Sequence, residues 1–206
     1  MNHNDRETLY YDGAPLPRIL SLAGGGAAVY GGPVVYIGTL SKELAPGLRI
    51  GWVIAAPRLI AALTTAKQGS DMCTSGLSQQ IALLALQSGL ADAILPEILS
   101  LYRARRDALL AAMDRRLSHR LTWEVPSGGM FVWATARDDA LNTDRLLQTA
   151  LDHRVCITPG SVFDPAGQDR HSIRINFTRN PPDRLEEGTR SPARAIEATL
   201  QSPDAG

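Results

Sequence analysis

The sequence holds only two lysines, Lys42 and Lys67, among 21 Lys and Arg residues. Chemistry that needs a side-chain primary amine therefore has two candidates, and their surroundings differ. Lys42 lies in Tyr36-Ile37-Gly38-Thr39-Leu40-Ser41-Lys42-Glu43-Leu44-Ala45-Pro46-Gly47-Leu48-Arg49-Ile50-Gly51-Trp52. The apolar run Val34–Gly38 before it reads as a buried strand, and Ile50–Ala55 after it reads as a second one. A lysine just past a buried strand is partly desolvated, which lowers its pKa and favours the nucleophilic amine. Thr39 and Ser41 set two hydroxyls at alternate positions before it. Arg49 follows seven residues later. Two hydroxyls and the forked donors of a guanidinium make a phosphate cup. A reactive amine beside such a cup suits pyridoxal phosphate (PLP): the lysine would hold the aldehyde as a Schiff base while the cup fixes the phosphate. Lys67 has no such neighbours and reads as a surface lysine at a helix end.

The elements that must position these groups follow from periodicity and breakers. Residues 1–33 read as irregular, with Gly24-Gly25-Gly26 and Gly31-Gly32-Pro33 bracketing a loop. Pro57 opens a helix over 57–68. A helix over 74–90 has Leu77, Ile81, Leu84 and Leu86 on its apolar side and Thr74 or Ser75 as its cap. The clearest helix spans 95–117, with Ile98, Tyr102, Leu109 and Met113 at helical spacing. Its arginines, from Arg103 to Arg116, read as a solvated face. Strands at 121–125 and 130–134 flank Pro126-Ser127-Gly128-Gly129. A helix at 142–153, a strand at 155–158, a Pro159-Gly160 turn and a half-buried strand at 172–177 follow. Pro181-Pro182 opens a last helix running to about Leu200. Interleaved strands and helices mean α/β or α+β.

The segment around Lys42 resembles the active-site lysine motif of fold-type I, PLP-dependent aminotransferases of class I/II. That pattern is Ser-hydrophobic-Ser-Lys, a short loop, then Gly-Leu-Arg-hydrophobic-Gly. Pro126-Ser127-Gly128-Gly129-Met130-Phe131-Val132-Trp133 is similar to the glycine pair and strand of that family's small domain. Thr158-Pro159-Gly160-Ser161-Val162-Phe163 is similar to its Pro-Gly-Ser turn. Ser172-Ile173-Arg174-Ile175-Asn176-Phe177-Thr178 is similar to its late strand. Order and spacing agree, so the resemblance covers residues 9–200. Ala45-Pro46-Gly47-Leu48-Arg49 and Thr74-Ser75-Gly76-Leu77 resemble the branch with 2-aminoadipate and aromatic aminotransferases. The transaminase-like halves of MocR-type regulators share this style.

The resemblance implies the following. The fold is α/β: residues 1–90 form the C-terminal part of a PLP-binding large domain, and residues 91–206 a small α+β domain linked by the long helix. PLP is the cofactor. Lys42 is the catalytic Schiff-base lysine and proton shuttle, and Thr39, Ser41 and Arg49 hold the phosphate. Arg174 clamps the substrate α-carboxylate; read on sequence alone, it is as well an ion-pair partner at a strand surface. The partners are an amino acid and a 2-oxo acid, and the family forms homodimers, an expectation weakened by truncation. The chain is far shorter than family members. The expectation is a C-terminal fragment whose activity in isolation is open. The family's ring-binding aspartate and stacking aromatic precede this sequence, and Asp5, close to the expected place, is not assigned that role. A regulator's effector-binding half is the alternative reading, and a degraded fragment without function a third.

Composition excludes other classes. Lys and Arg (21) balance Asp and Glu (21), and 44% of residues are hydrophobic. Neutrality argues against binding of nucleic acid or an anionic membrane by this chain. No apolar run reaches the roughly 18 residues of a membrane span, and the first 15 carry no signal peptide, so the expected compartment is the cytoplasm. Cys73 and Cys156 frame neither a zinc site nor a disulfide scaffold and read as small buried hydrophobes. His3, His119, His153 and His171 read as surface residues. No spacing of His, Cys or carboxylates suggests a metal.

Overall fold

Two antiparallel strands and the loop between them carry Lys42; the rest of the chain supports that hairpin or forms a second body. The structure, a computed structural model, describes residues 9–24 and 29–201. Asp5, His3, Gly25 and Gly26, singled out above, lie outside those residues. The chain divides into two compact units, Met1–Ile98 and Leu99–Gly206.

The first unit contains α1 (Ile19–Leu22), β1 (Tyr36–Thr39), β2 (Gly51–Ile54), α2 (Pro57–Ser70), α3 (Gly76–Gln87) and the start of α4 (Leu90–Leu117). β1 and β2 pair antiparallel, from Tyr36 opposite Ile54 to Thr39 opposite Gly51. Both apolar runs are strands, but neither is buried as expected: Ile37 is 75% exposed and Val53 38%. Among the described residues their sheet has two strands, so each keeps an open edge. α2 starts on Pro57, whose missing N–H would have had no helical partner in any case. Lys67, near the end of α2, pairs with Asp71 at 2.6 Å, the surface role expected of it. Ser75 caps α3 by accepting from the Ser78 N–H. Leu77 and Leu84 of α3 stay exposed, and Ala82 is its buried residue.

The second unit contains the rest of α4, then β3 (Leu121–Trp123), β4 (Phe131–Ala136), α5 (Thr143–Asp152), β5 (Thr158–Pro159), β6 (Ser172–Asn176), α6 (Pro182–Gly188) and α7 (Arg190–Gln201). Its sheet runs β3-β4-β6-β5, antiparallel throughout. Side chains alternate across a strand. Val132, Ala134 and Ile173 are fully buried, as are Met113 and Leu117 of α4, Leu146 of α5 and Ile196 of α7. Phe131, Trp133 and Arg174 fall on the opposite face of the sheet.

Four expectations need correction here. The strand expected at 155–158 is confined to Thr158–Pro159. The single helix expected from Pro181 breaks at Thr189 into α6 and α7. Pro192 has no N–H to offer the Gly188 carbonyl, so one continuous helix would leave that acceptor unpaired. The arginines of α4 are not simply a solvated face. Arg106 is 4% exposed and donates to the Pro126 carbonyl at 2.8 Å. Arg105 donates to the Thr178 carbonyl, and Arg116 to Glu186 at 3.1 Å. Both cysteines are exposed, because Cys73 sits between α2 and α3 and Cys156 on the approach to a two-residue strand. Among the described residues no single helix is long and apolar enough to cross a membrane.

Candidate functional site

Thr39 ends β1 and faces Gly51, so the eleven residues between them form a closed hairpin connection. The Leu40 N–H donates to the Ile50 carbonyl at 3.1 Å and continues the pairing by one step. The chain then turns: the Leu44 and Ala45 N–H groups both donate to the Leu40 carbonyl, at 2.9 and 3.1 Å. Ser41 and Lys42 form the first half of that turn. Pro46–Leu48 make a 3-10 turn, and Arg49 brings the chain back to β2. Lys42 and Arg49, seven positions apart in sequence, therefore stand at one end of the hairpin.

The hydroxyls of Thr39 and Ser41 are hydrogen-bonded at 2.9 Å. Thr39 Oγ1 accepts the Ser41 N–H at 3.1 Å and lies 3.0 Å from the Ile50 carbonyl. This small network fixes both oxygens relative to the strand ends. Arg49 adopts φ 54°, ψ 38°, the left-handed region, and its Nη1 donates to the Pro46 carbonyl at 3.3 Å. A non-glycine residue there costs about 1–3 kcal/mol and is found disproportionately where a site is built. One expectation fails: Lys42 is exposed, as are Thr39 and Arg49. The strands flanking the loop are themselves half open to solvent, so among the described residues of the first unit the amine is not buried.

Trp52 shapes the hairpin. Its indole lies over Gly38, the residue opposite it, so that a Cβ on Gly38 would sit 2.3 Å from the ring. Gly38→Val should therefore displace Trp52 or bend β1, at about 1–3 kcal/mol of stability for an overpacked contact. A urea melt followed by tryptophan fluorescence checks this; a midpoint unchanged from the parent chain would show that Trp52 is free to move.

Arg174, in the second unit, stands between two aromatic rings. Its guanidinium carbon is 4.0 Å from the Phe131 ring centre and 4.3 Å from that of Phe163. Trp133 meets Phe163 edge-on at 5.5 Å. Among the described residues no carboxylate pairs with Arg174, so the ion-pair alternative does not hold within them. Stacked rings hold a guanidinium plane while leaving its edge of N–H donors open, the shape that takes a carboxylate in bidentate fashion. The sequence reading named Arg174 and missed both rings. The usable signal was the alternation of Phe131 and Trp133 on a strand. Asp164 secures the chain after Phe163: backbone N–H groups of Ala166, Gln168 and Asp169 hold its carboxyl below the usual carboxylate range. That contribution is present above the ordinary carboxylate pKa and is lost as pH falls through the lowered one.

Thr39, Ser41, Lys42 and Arg49 supply two hydroxyls, a primary amine and a guanidinium at one hairpin end. That donor set fits a phosphate ester carrying an aldehyde. With an open antiparallel hairpin in one unit and a helix-backed four-stranded sheet in the other, the chain has part of the PLP-transferase fold of type I. It superimposes with a TM-score of 0.84, at 32% identity, on LysN, the α-aminoadipate aminotransferase of Thermus thermophilus, covering 96% of this chain and 50% of that one. The LysN structure is complexed with N-(5'-phosphopyridoxyl)-L-leucine. Residues 9–190 match the family Aminotransferase class I and II, and the chain belongs to that family. It is 39% identical to aromatic-amino-acid aminotransferase 1 of Thermococcus litoralis over 82% of this chain and 40% of that protein. It is also 32% identical to the HTH-type transcriptional regulator YisV of Bacillus subtilis, over 83% of this chain and 35% of that protein. The chain thus spans about half the length of LysN, and less of the other two.

Proposed function

We propose that this chain carries the lysine, the phosphate cup and the carboxylate-binding arginine of a PLP-dependent aminotransferase that moves an amino group between an amino acid and a 2-oxo acid. The observation that supports the reading most is the hairpin end, where Lys42 stands beside the bonded Thr39 and Ser41 hydroxyls and Arg49 returns the chain. In this reading residues 1–90 belong to the cofactor-binding domain and 91–206 to the small domain.

PLP, when bound, supplies the aldehyde that takes up the amino group and the ring that accepts the electron pair freed at the α-carbon. The protein's residues do the rest. Thr39 and Ser41 would hold the phosphate through their hydroxyls, and Arg49 through its guanidinium. Lys42 would hold the cofactor's aldehyde through Nζ, and its amine would take and return the proton at the substrate Cα. Arg174 holds the substrate carboxylate, and Phe131 and Phe163 keep its guanidinium from turning away. A family dimer and a cytoplasmic setting belong to the same proposal.

Similarity to YisV supports a second reading, in which the same groups bind PLP in an effector-sensing half of a transcriptional regulator without turnover. An added amino acid that converts the cofactor and releases a 2-oxo acid separates turnover from sensing. The primary test is site assignment. The chain is loaded with PLP, reduced with borohydride, digested and mapped. The cofactor's mass is expected on the peptide bearing Lys42; its appearance on Lys67, or on neither, would sink the proposal.

A further inference from the structure

The second unit contains a cleft of about 430 Å³ between α4, the Arg154–Ile157 segment and the β6–α6 connection. The site proposed above uses none of its residues. Its floor is apolar and belongs to the core: Leu109, Leu117, Ile157 and Leu185 are each at most 6% exposed. Its rim carries three arginines, Arg154, Arg179 and Arg184, with the Asn180 amide beside them. Among the described residues no acidic one lines the cleft. Arg184 meets Glu187 at 3.2 Å on the surface, whereas Arg154 and Arg179 pair with nothing among the described residues. In a chain whose charges cancel, 21 against 21, the two rim guanidinium groups of Arg154 and Arg179, without a lining carboxylate, are a local excess.

The end of α5 fixes the backbone at the rim of the cleft. Arg154 adopts φ 61°, in the left-handed region that long side chains rarely occupy. The Arg154 N–H donates to Leu151 and the Val155 N–H to Ala150, both at 2.9 Å, so the end of α5 holds Arg154 in that conformation. These two bonds are the Schellman pattern of a helix stop, so the left-handed Arg154 is the cap that ends α5. The cleft is also distinct from the Arg174 site. Arg174, Phe131 and Phe163 are not among the residues that line it.

We propose that this cleft binds an organic phosphate with an apolar or aromatic body. Its volume falls in the range of small-molecule pockets. An apolar floor removes the ligand's body from water, and forked guanidinium donors match phosphate oxygens.

The test is calorimetric titration of the full chain with 1-naphthyl phosphate, with 1-naphthol and inorganic phosphate as controls. The parent chain is expected to bind naphthyl phosphate saturably, and each control at least about tenfold more weakly, because each lacks one half of the contact. Arg154→Asn combined with Arg179→Ala should weaken binding about tenfold or more; asparagine is chosen because it tolerates the left-handed backbone. Arg49→Ala should leave the affinity unchanged, which separates this cleft from the phosphate cup beside Lys42. If a thermal melt shows the double variant unfolded, Arg179→Gln alone should still weaken binding by about threefold or more. No saturable binding by the parent chain, equal affinity in the arginine variants, or loss on Arg49→Ala alone would overturn the proposal.

Discussion

Alanine at position 42 is expected to abolish covalent attachment of PLP. The visible absorbance band that forms on titrating the parent chain should be missing, and borohydride should fix no cofactor mass to the protein. The expectation rests on there being two side-chain amines, of which Lys67 is already paired with Asp71 at 2.6 Å, while the nearby Thr64 and Thr65 hydroxyls are bonded to the Ile60 and Ala61 carbonyls of their own helix. Lys42 is exposed, so its removal should change stability by no more than about 0.5 kcal/mol. Loss of the band therefore reports chemistry rather than unfolding. Lys42→Arg sharpens the result. It keeps the positive charge but not a nucleophile, because a guanidinium stays protonated at any working pH. It should fail as completely as alanine, whereas a role limited to charge would survive in it. Where amino-group transfer is measurable, both variants should lose about 10²–10⁴-fold in rate, the usual contribution of a positioned acid–base group. A band that persists in Lys42→Ala would move the attachment elsewhere and undo the reading of the hairpin.

The loop around Lys42 was legible in the sequence because everything it needs is local. Two hydroxyls, an amine and an arginine lie within eleven residues, bounded by short β-branched apolar runs that read as strands. What the loop's environment would be was not legible. Val34–Gly38 and Ile50–Ala55 are apolar enough to be buried, and burial was inferred from composition. Burial, however, depends on what covers a strand, and a two-stranded ribbon covers little of Ile37 or Val53. Both cysteines fail for the same reason: spacing excludes a disulfide framework but says nothing about exposure. The break between α6 and α7 was legible in principle, since Pro192 removes the hydrogen bond to Gly188 that a continuous helix would use across the junction. The aromatic grip on Arg174 was not. Phe131 meets it only because β4 and β6 pair with Trp133 opposite Arg174, and Phe163 arrives from a separate turn. A register is a tertiary fact, and single-sequence periodicity does not supply it.

That grip sets up the second large effect. Arg174→Leu should weaken binding of a 2-oxo acid by about 100-fold, the cost of roughly 3 kcal/mol for truncating one partner of a charge-assisted pair. Calorimetry on the full chain measures it, and needs no turnover. Arg174→Lys should recover little of the loss. An ammonium is a point charge without the planar fork, and it gains less from lying between two rings. Phe163→Leu tests the positioning directly. It leaves the guanidinium in place but removes one stacked face at 4.3 Å. A cation–π contact of about 0.5–2 kcal/mol predicts a two- to thirtyfold weaker complex. Phe163→Trp should restore affinity, since it restores a ring. Rescue by tryptophan is the outcome that a merely space-filling role for Phe163 would not produce. Equal affinity in Arg174→Leu and the parent chain would return Arg174 to the status of a solvent-facing strand residue. The carboxylate of the substrate would then have to be held by another cation, and the open face of the sheet offers none opposite Trp133.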